Sequence, residues 1–270
     1  MKATVLIDNI THNDLKKQWG LSFFIEYEGK KFLLDTGSSD LFFENAKKLG
    51  IDLSQVDYGI LSHAHYDHSD GMGCFFENNS KAKFLLCDGC KENCYGKRWI
   101  FSKYIGIRKG LMKKYSERIS FIEGRKEIYN GVYLLPHSTD KLELLGKKTG
   151  IYIKKNHRLV PDNFEHEQSL IFRTKKGLVI FNSCSHGGAD NIINEVKAAF
   201  PDEKIYALIG GFHLYKASEA DVCALAERIE STGIEKIYTG HCTDEKAFEI
   251  LSRELRSKAH QLYCGLEIEA

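Results

Sequence analysis

Along most of this chain, apolar and polar residues alternate in short runs bounded by glycine, asparagine and charged residues, the pattern of β-strands. The runs predict strands at Thr4–Ile10, Phe23–Tyr27, Lys31–Leu34, Tyr58–Leu61, Lys83–Cys87, Val132–Leu135, Ile151–Lys154, Leu170–Thr174, Leu178–Asn182, Ile205–Ile209, Lys236–Thr239 and Gln261–Ile268. Short glycine-bearing turns, Glu28-Gly29-Lys30 and Lys175-Lys176-Gly177, join two pairs of runs into hairpins. Helical spacing appears at Leu41–Leu49, which stops at Gly50, and at Asn191–Phe200, with Ile192, Ile193, Val196 and Phe200 on one face. Ser218–Thr232 opens with Ser218-x-x-Asp221 and stops at Gly233, while Thr243–Ser257 starts at a capping threonine and stripes Phe248, Leu251 and Leu255. Each stripe is amphipathic, so each helix should cover a sheet.

The order of elements repeats. A hairpin ending in Leu34-Asp35-Thr36-Gly37 leads through a helix to the strand before His63; a second, ending in Ser183-Cys184-Ser185-His186, leads through a helix to Ile209-Gly210-Gly211-Phe212-His213. Two such halves predict an α/β fold in which two mixed sheets pack face to face with helices outside. This four-layer αβ/βα sandwich would place a site at the shared edge.

Composition narrows the class without naming a function. The 270 residues, 43% hydrophobic and with three prolines and no low-complexity linker, suit one domain over 1–270. A net charge of +1 provides no global field for nucleic acid or membrane. Met1–Asn13 lacks the apolar core of a signal peptide, and no run approaches the ~20 residues needed to span a bilayer. The expectation is a cytoplasmic protein whose eight cysteines are reduced.

The chemistry concentrates in His63-Ala64-His65-Tyr66-Asp67-His68, three imidazoles and a carboxylate within six residues. These are preferred ligands of zinc and similar ions. The segment is expected as a loop at a strand's C-terminal end, with His63 and His65 sharing one ion and Asp67 and His68 turned toward a second. The plainer alternative is a polar loop whose histidines meet water. Three further histidines, His186, His213 and His241, follow strand-like runs. Two ions sharing a bridge need about six or seven ligands, more than the first cluster holds.

These motifs, with Leu34-Asp35-Thr36-Gly37, Ile209-Gly210-Gly211-Phe212-His213-Leu214 and Gly240-His241-Cys242-Thr243, resemble the metallo-β-lactamase superfamily. Within it they resemble the branch related to dihydropterin ribofuranosylaminobenzene phosphate synthase-like proteins. The resemblance implies His63, His65 and His186 at one metal site, Asp67, His68 and His241 at a second, and Asp35 as a brace. Many members of the superfamily have a bridging aspartate where this chain has Cys184, so the bridge is either that thiolate or solvent. His213 is either a substitute ligand or a substrate-facing acid; the acid is favoured. Histidine at position 65, where diiron relatives carry glutamate, favours two Zn²⁺ ions, with Mn or Fe also compatible. The implied activity is metal-dependent hydrolysis by a hydroxide held at the dinuclear site, oriented by Asp67. Two alternatives stay open: a phosphodiesterase acting on nucleotides or RNA ends, and a metal-binding sensor or scaffold without turnover.

Weaker signals add detail. Residues 97–118 interleave Lys97, Arg98, Lys103, Arg108, Lys109, Lys113, Lys114 and Arg118 with Trp99, Phe101 and Tyr104. They are expected either as a basic, aromatic lid for a small anionic, pterin-like or phosphorylated substrate, or as a solvated helix face. Nucleic acid is the lesser partner, membrane is not expected, and the oligomeric state is open. Cys87-x-x-Cys90-x-x-x-Cys94 lacks an obvious fourth ligand for zinc and is expected as reduced thiols. Asp162–Gln168 is assigned no role, and His12, His137, His157 and His260 show no partner pattern.

Overall fold

The computed structural model describes residues 1–270. Its first sheet has seven strands in the order Glu267–Glu269, Lys2–Ile7, Ser22–Tyr27, Lys30–Leu34, Tyr58–Ile60, Lys83–Cys87 and Ile119–Ile122. The second, also of seven, runs Ala259–Gln261, Lys236–Thr239, Ile205–Ile209, Gly177–Phe181, Gln168–Thr174, Val132–Pro136 and Lys126–Tyr129. Both are antiparallel on one side and parallel on the other, the junction falling after the hairpin strand that feeds the first helix of each half. The repeat expected from the sequence is therefore a repeat of sheet topology.

Alternation along each strand builds the layers. Phe23, Ile25, Phe32 and Leu34 meet Leu170, Phe172, Val179 and Phe181 between the sheets. On the outer face of the first sheet, Phe24 and Leu33 pack with Phe42 of helix Leu41–Lys48 and Phe75 of helix Met72–Asn78. On the outer face of the second, Ile171, Ile180 and Leu208 pack with Ile192, Val222 and Leu251 of helices Ala189–Ala199, Glu219–Ser231 and Glu245–Leu255. The result is an αβ/βα sandwich. Burial of one such Phe side chain stabilises by about 1.5–3 kcal/mol.

Some expectations need correction. Gln261–Ile268 is not one strand: Leu262 N–H still bonds to Thr239 of the second sheet, whereas Gly265 N–H bonds to Val5 of the first. Gly265, at φ +87°, provides the turn that carries the chain from one sheet to the other. The last long helix is capped by Asp244, whose side chain accepts from Ala247 N, and not by Thr243, which is buried. Residues 97–118 are not one helix face: only the turn Leu111–Lys114 is α-helical, with Lys113 and Lys114 exposed. Cys94–Arg98 and Phe101–Tyr104 form a hairpin in a separate four-stranded sheet with Ile151–Lys155 and Arg158–Pro161, and its tip leaves Trp99 and Ile100 86% and 85% exposed. The ligand-rich segment is a loop only as far as His65; Tyr66–Ser69 is a helical turn. No helix is long and apolar enough to cross a membrane.

Candidate metal centre

Every predicted ligand lies at the edge shared by the two sheets, brought there by a strand end or the turn that follows. His63 and His65 follow Tyr58–Ile60, Asp67 and His68 ride on the helical turn, His186 follows Gly177–Phe181, and His241 follows Lys236–Thr239. Gly20, at φ +147°, lets the chain pass over this turn, since a Cβ there would sit 2.5 Å from the Asp67 carbonyl.

The hydrogen bonds around the rings fix which nitrogen faces inward. Asp35 accepts from Ser62 N–H at 2.7 Å and from the Ser62 hydroxyl at 2.6 Å. Because that hydroxyl proton is committed, Ser62 Oγ accepts from His63 Nδ1–H at 2.8 Å. Asp35 Oδ2 also accepts from His68 Nδ1–H at 2.8 Å, and Asn9 Oδ1 from His241 Nδ1–H at 3.1 Å. Each of these rings thus turns its Nε2 toward the centre, the arrangement by which a partner on the far nitrogen orients a metal-ligating imidazole. Asp35 acts as the expected brace.

Inside, potential ligand atoms of His63, His65 and His186 all lie within 4.8 Å of one another. Asp67 Oδ2 is 3.5 Å from His241 Nε2 and 3.9 Å from His68 Nε2. Cys184 Sγ sits between the two groups, 3.2 Å from His68 Nε2 and grouped both with His63 and His68 and with His241 and Cys242. His213 is half-buried, its ring centroid 4.3 Å from that of His186. Backbone strain concentrates here, with Asp35, Ser185, His213 and His241 all in the left-handed region.

Burial, with neighbouring imidazoles, pushes His63 and His186 well below the ordinary histidine range and His65 down to about 3. These rings are neutral at pH 7 and available as ligands. Burial pushes Asp67 up, but His68, His241 and His65 outweigh it and hold the carboxyl well below its usual range. Burial pushes His241 down, yet Cys242, Asp67 and Asp8 hold it at about 9.

The donor set fits metal ions. Nε2 of His63, His65 and His241 and both nitrogens of His186 are buried without a hydrogen-bond partner, a cost a folded protein rarely leaves unanswered. The group of His65, Cys94, Asp162 and His166 is different, although its potential ligand atoms also lie within 4.8 Å. His166 Nδ1 accepts from Ala64 N–H at 3.2 Å, so Nε2 keeps its proton and donates to Asp162 at 3.0 Å. That ring braces the ligand loop. Cys87 and Cys90 thiols bond to the carbonyls of Glu165 and His166, and all eight cysteines are free, as expected of reduced thiols.

Sequence reasoning missed the outer supports. Glu167 accepts from His186 N–H and Gly187 N–H at 3.0 Å each and pairs with His137 Nε2, whose Nδ1 is 2.9 Å from Glu195. The segment Asp162–Gln168 and His137, assigned no role or partner, thus support both halves: His166 and Gln168 bond to the loop of His63, and Glu167 with His137 to the turn of His186. Asn9 was hidden inside the predicted strand Thr4–Ile10, which ends at Ile7. A cavity of about 440 Å³ opens in front of the ligands. Trp19, Lys97, Arg98, Phe101, Lys103 and His213 are among its walls.

A four-layer αβ/βα sandwich carrying inward-turned imidazoles and a carboxylate at its shared edge defines the metal-dependent β-lactamase-type fold. The metallo-beta-lactamase superfamily model matches residues 20–83. The chain is similar to the 7,8-dihydropterin-6-methyl-4-(beta-D-ribofuranosyl)-aminobenzene-5'-phosphate synthase of Methanocaldococcus jannaschii, with 31% identity over 92% of this chain and 88% of the relative. The chain belongs to the metallo-β-lactamase superfamily, in the branch of that synthase. Among solved structures, a metal-dependent hydrolase of the β-lactamase superfamily is similar over 100% of this chain and 99% of its own, with TM-score 0.84 and 31% identity. A diphosphatase of the PhnP family, at TM-score 0.59 and 13% identity over 100% of this chain and 97% of its own, shares the fold alone.

Proposed function

We propose that this chain is a metal-dependent hydrolase with a dinuclear centre, acting on a small anionic substrate. The observation that carries the reading is the set of buried, unpartnered imidazole nitrogens converging on one space. His63, His65 and His186 would hold one ion, and Asp67, His68 and His241 the other, with Cys184 placed to touch both. Nitrogen-rich ligation with a thiol favours zinc. When bound, two such ions supply a nucleophile at neutral pH and polarise the substrate's electrophilic oxygen.

The protein's own groups do the rest. Asp67 stays ionised and orients the attacking water. Lys97, Arg98 and Lys103 on the hairpin attract an anion, and Phe101 and Trp19 offer faces to a flat ring. His213, at the cavity wall, is placed to donate a proton to the leaving group. The hairpin thereby takes the part of the basic, aromatic lid.

One observation favours a second reading: the relative from M. jannaschii is named a synthase. The same centre could then direct attack by an acceptor other than water. Metal analysis of the purified protein, joined to assays of phosphate mono- and diesters, lactones, thioesters and β-lactams, tests the proposal. Two ions with hydrolysis of one class would support it. Turnover only when an organic acceptor is added would favour the synthase reading, and no ion with no turnover would favour a scaffold.

A further inference from the structure

Behind His186 and His213 lies a second cavity of about 480 Å³. Thr149, His186, His213, Tyr215 and Lys216 line both this cavity and the one in front of the ligands, so the two adjoin along these residues. The rear cavity has an apolar side, with Phe212, Leu214 and Leu225, and a polar end built by the start of helix Ala189–Ala199.

That polar end is rich in uncommitted donors. No side chain caps the helix, and the amide of Ile192 is the one that bonds back to Gly188. The amides of Ala189, Asp190 and Asn191 ahead of it are the donors an α-helix leaves open. Ser185 is 2% exposed, lines the cavity, and its hydroxyl has no hydrogen-bond partner. Lys216 stands at the rim without a carboxylate partner, whereas the acids there are already paired, Asp190 with Arg228 at 2.6 Å and Asp221 with Lys148 at 3.0 Å.

We propose that the rear cavity is a phosphate subsite, holding a phosphate carried on the part of the substrate remote from the reacting bond. Helix amides, a buried hydroxyl and an unpaired ammonium together match a tetrahedral anion with several acceptor oxygens. The proposal rests on the front cavity being the reacting centre and gives its substrate a second anchoring point.

Calorimetric titration of the metal-loaded protein with inorganic phosphate tests it, using Ser185→Ala, Lys216→Ala and His63→Ala. Ser185→Ala and Lys216→Ala should each weaken phosphate binding by about tenfold, the scale of a charge-assisted hydrogen bond, with metal content unchanged. Lys216 is exposed, so that variant folds whatever happens to Ser185→Ala. His63→Ala, which depletes metal, should keep most of the binding. Binding that survives both cavity variants and vanishes with His63→Ala would put the anion on the metal ions and overturn the proposal, as would no binding to the parent. Phosphate binding without turnover in the assay panel would sink the hydrolase reading and leave the subsite standing. Turnover without phosphate binding would do the reverse.

Discussion

Glu167→Gln tests how the centre is held, because Glu167 bonds to the backbone beside a ligand and not to the ligand's ring. The carboxylate is fully buried, receives two amides and faces His137. Burial pushes His137 down, but Glu167 and Glu195 outweigh it and hold the ring at about 10. Glutamine keeps the volume and one acceptor, removes the charge, and sets its own N–H₂ against one amide. Removing one partner of a buried pair costs about 3–5 kcal/mol, and an unsatisfied amide about 1–3 kcal/mol. Since Glu195 still neutralises His137, we expect a loss of about 3–4 kcal/mol in denaturant unfolding, and metal retention weakened about 10–100-fold. The folded pKa of His137 lies above its ordinary 6.5, so its contribution is complete below about 6.5 and is lost as pH rises through about 10. Glu167 is lowered from 4.5, so its share requires pH above that value. The difference between parent and variant should therefore be largest near pH 6 and shrink as pH approaches 10. Equal stability and equal metal retention at pH 6 would refute the reasoning, as would a difference that does not change with pH.

Other outcomes follow from the same geometry. His65→Ala should lower metal content, measured by elemental analysis, and abolish turnover; full metal content would remove His65 from the ligand set. His213→Ala should leave metal content near parent values and depress kcat by about 10²–10⁴-fold, the range of a lost general acid, and metal loss would instead make it a ligand. Phe101→Ala on the hairpin should raise KM more than it lowers kcat, and an unchanged KM would exclude a substrate contact. Asn9→Ala leaves His241 Nδ1–H without its acceptor and should weaken metal binding, read by chelator competition; unchanged affinity would mean the ring needs no such anchor.

The sandwich and the ligands were legible because both follow local rules. Alternation marks strands wherever it occurs, and a site at the shared edge draws on strand ends, so His63, His186 and His241 stood out as candidates by position. Supporting residues follow no local rule. Glu167 meets His137 30 residues away and Asn9 meets His241 232 residues away, each through hydrogen bonds no spacing encodes. The hairpin at Cys94–Tyr104 eluded the pattern for another reason. Trp99, Ile100 and Phe101 stand exposed at its tip and its basic residues line a cavity, so neither group marks a buried face. The Gln261–Ile268 run looked continuous because both of its parts are buried, although against different sheets.

The ligand set draws on residues from both halves of the chain, and its braces reach back to Asp8 and Asn9. No fragment containing only one sheet holds a complete set. On the proposed function, metal capture would be coupled to the docking of one sheet on the other, and binding energy for the ions would become docking energy for the halves. Contacts this distant in sequence form late and slowly. An incompletely made chain would then be unable to load metals at this centre, and its occupancy would double as a report that folding is finished.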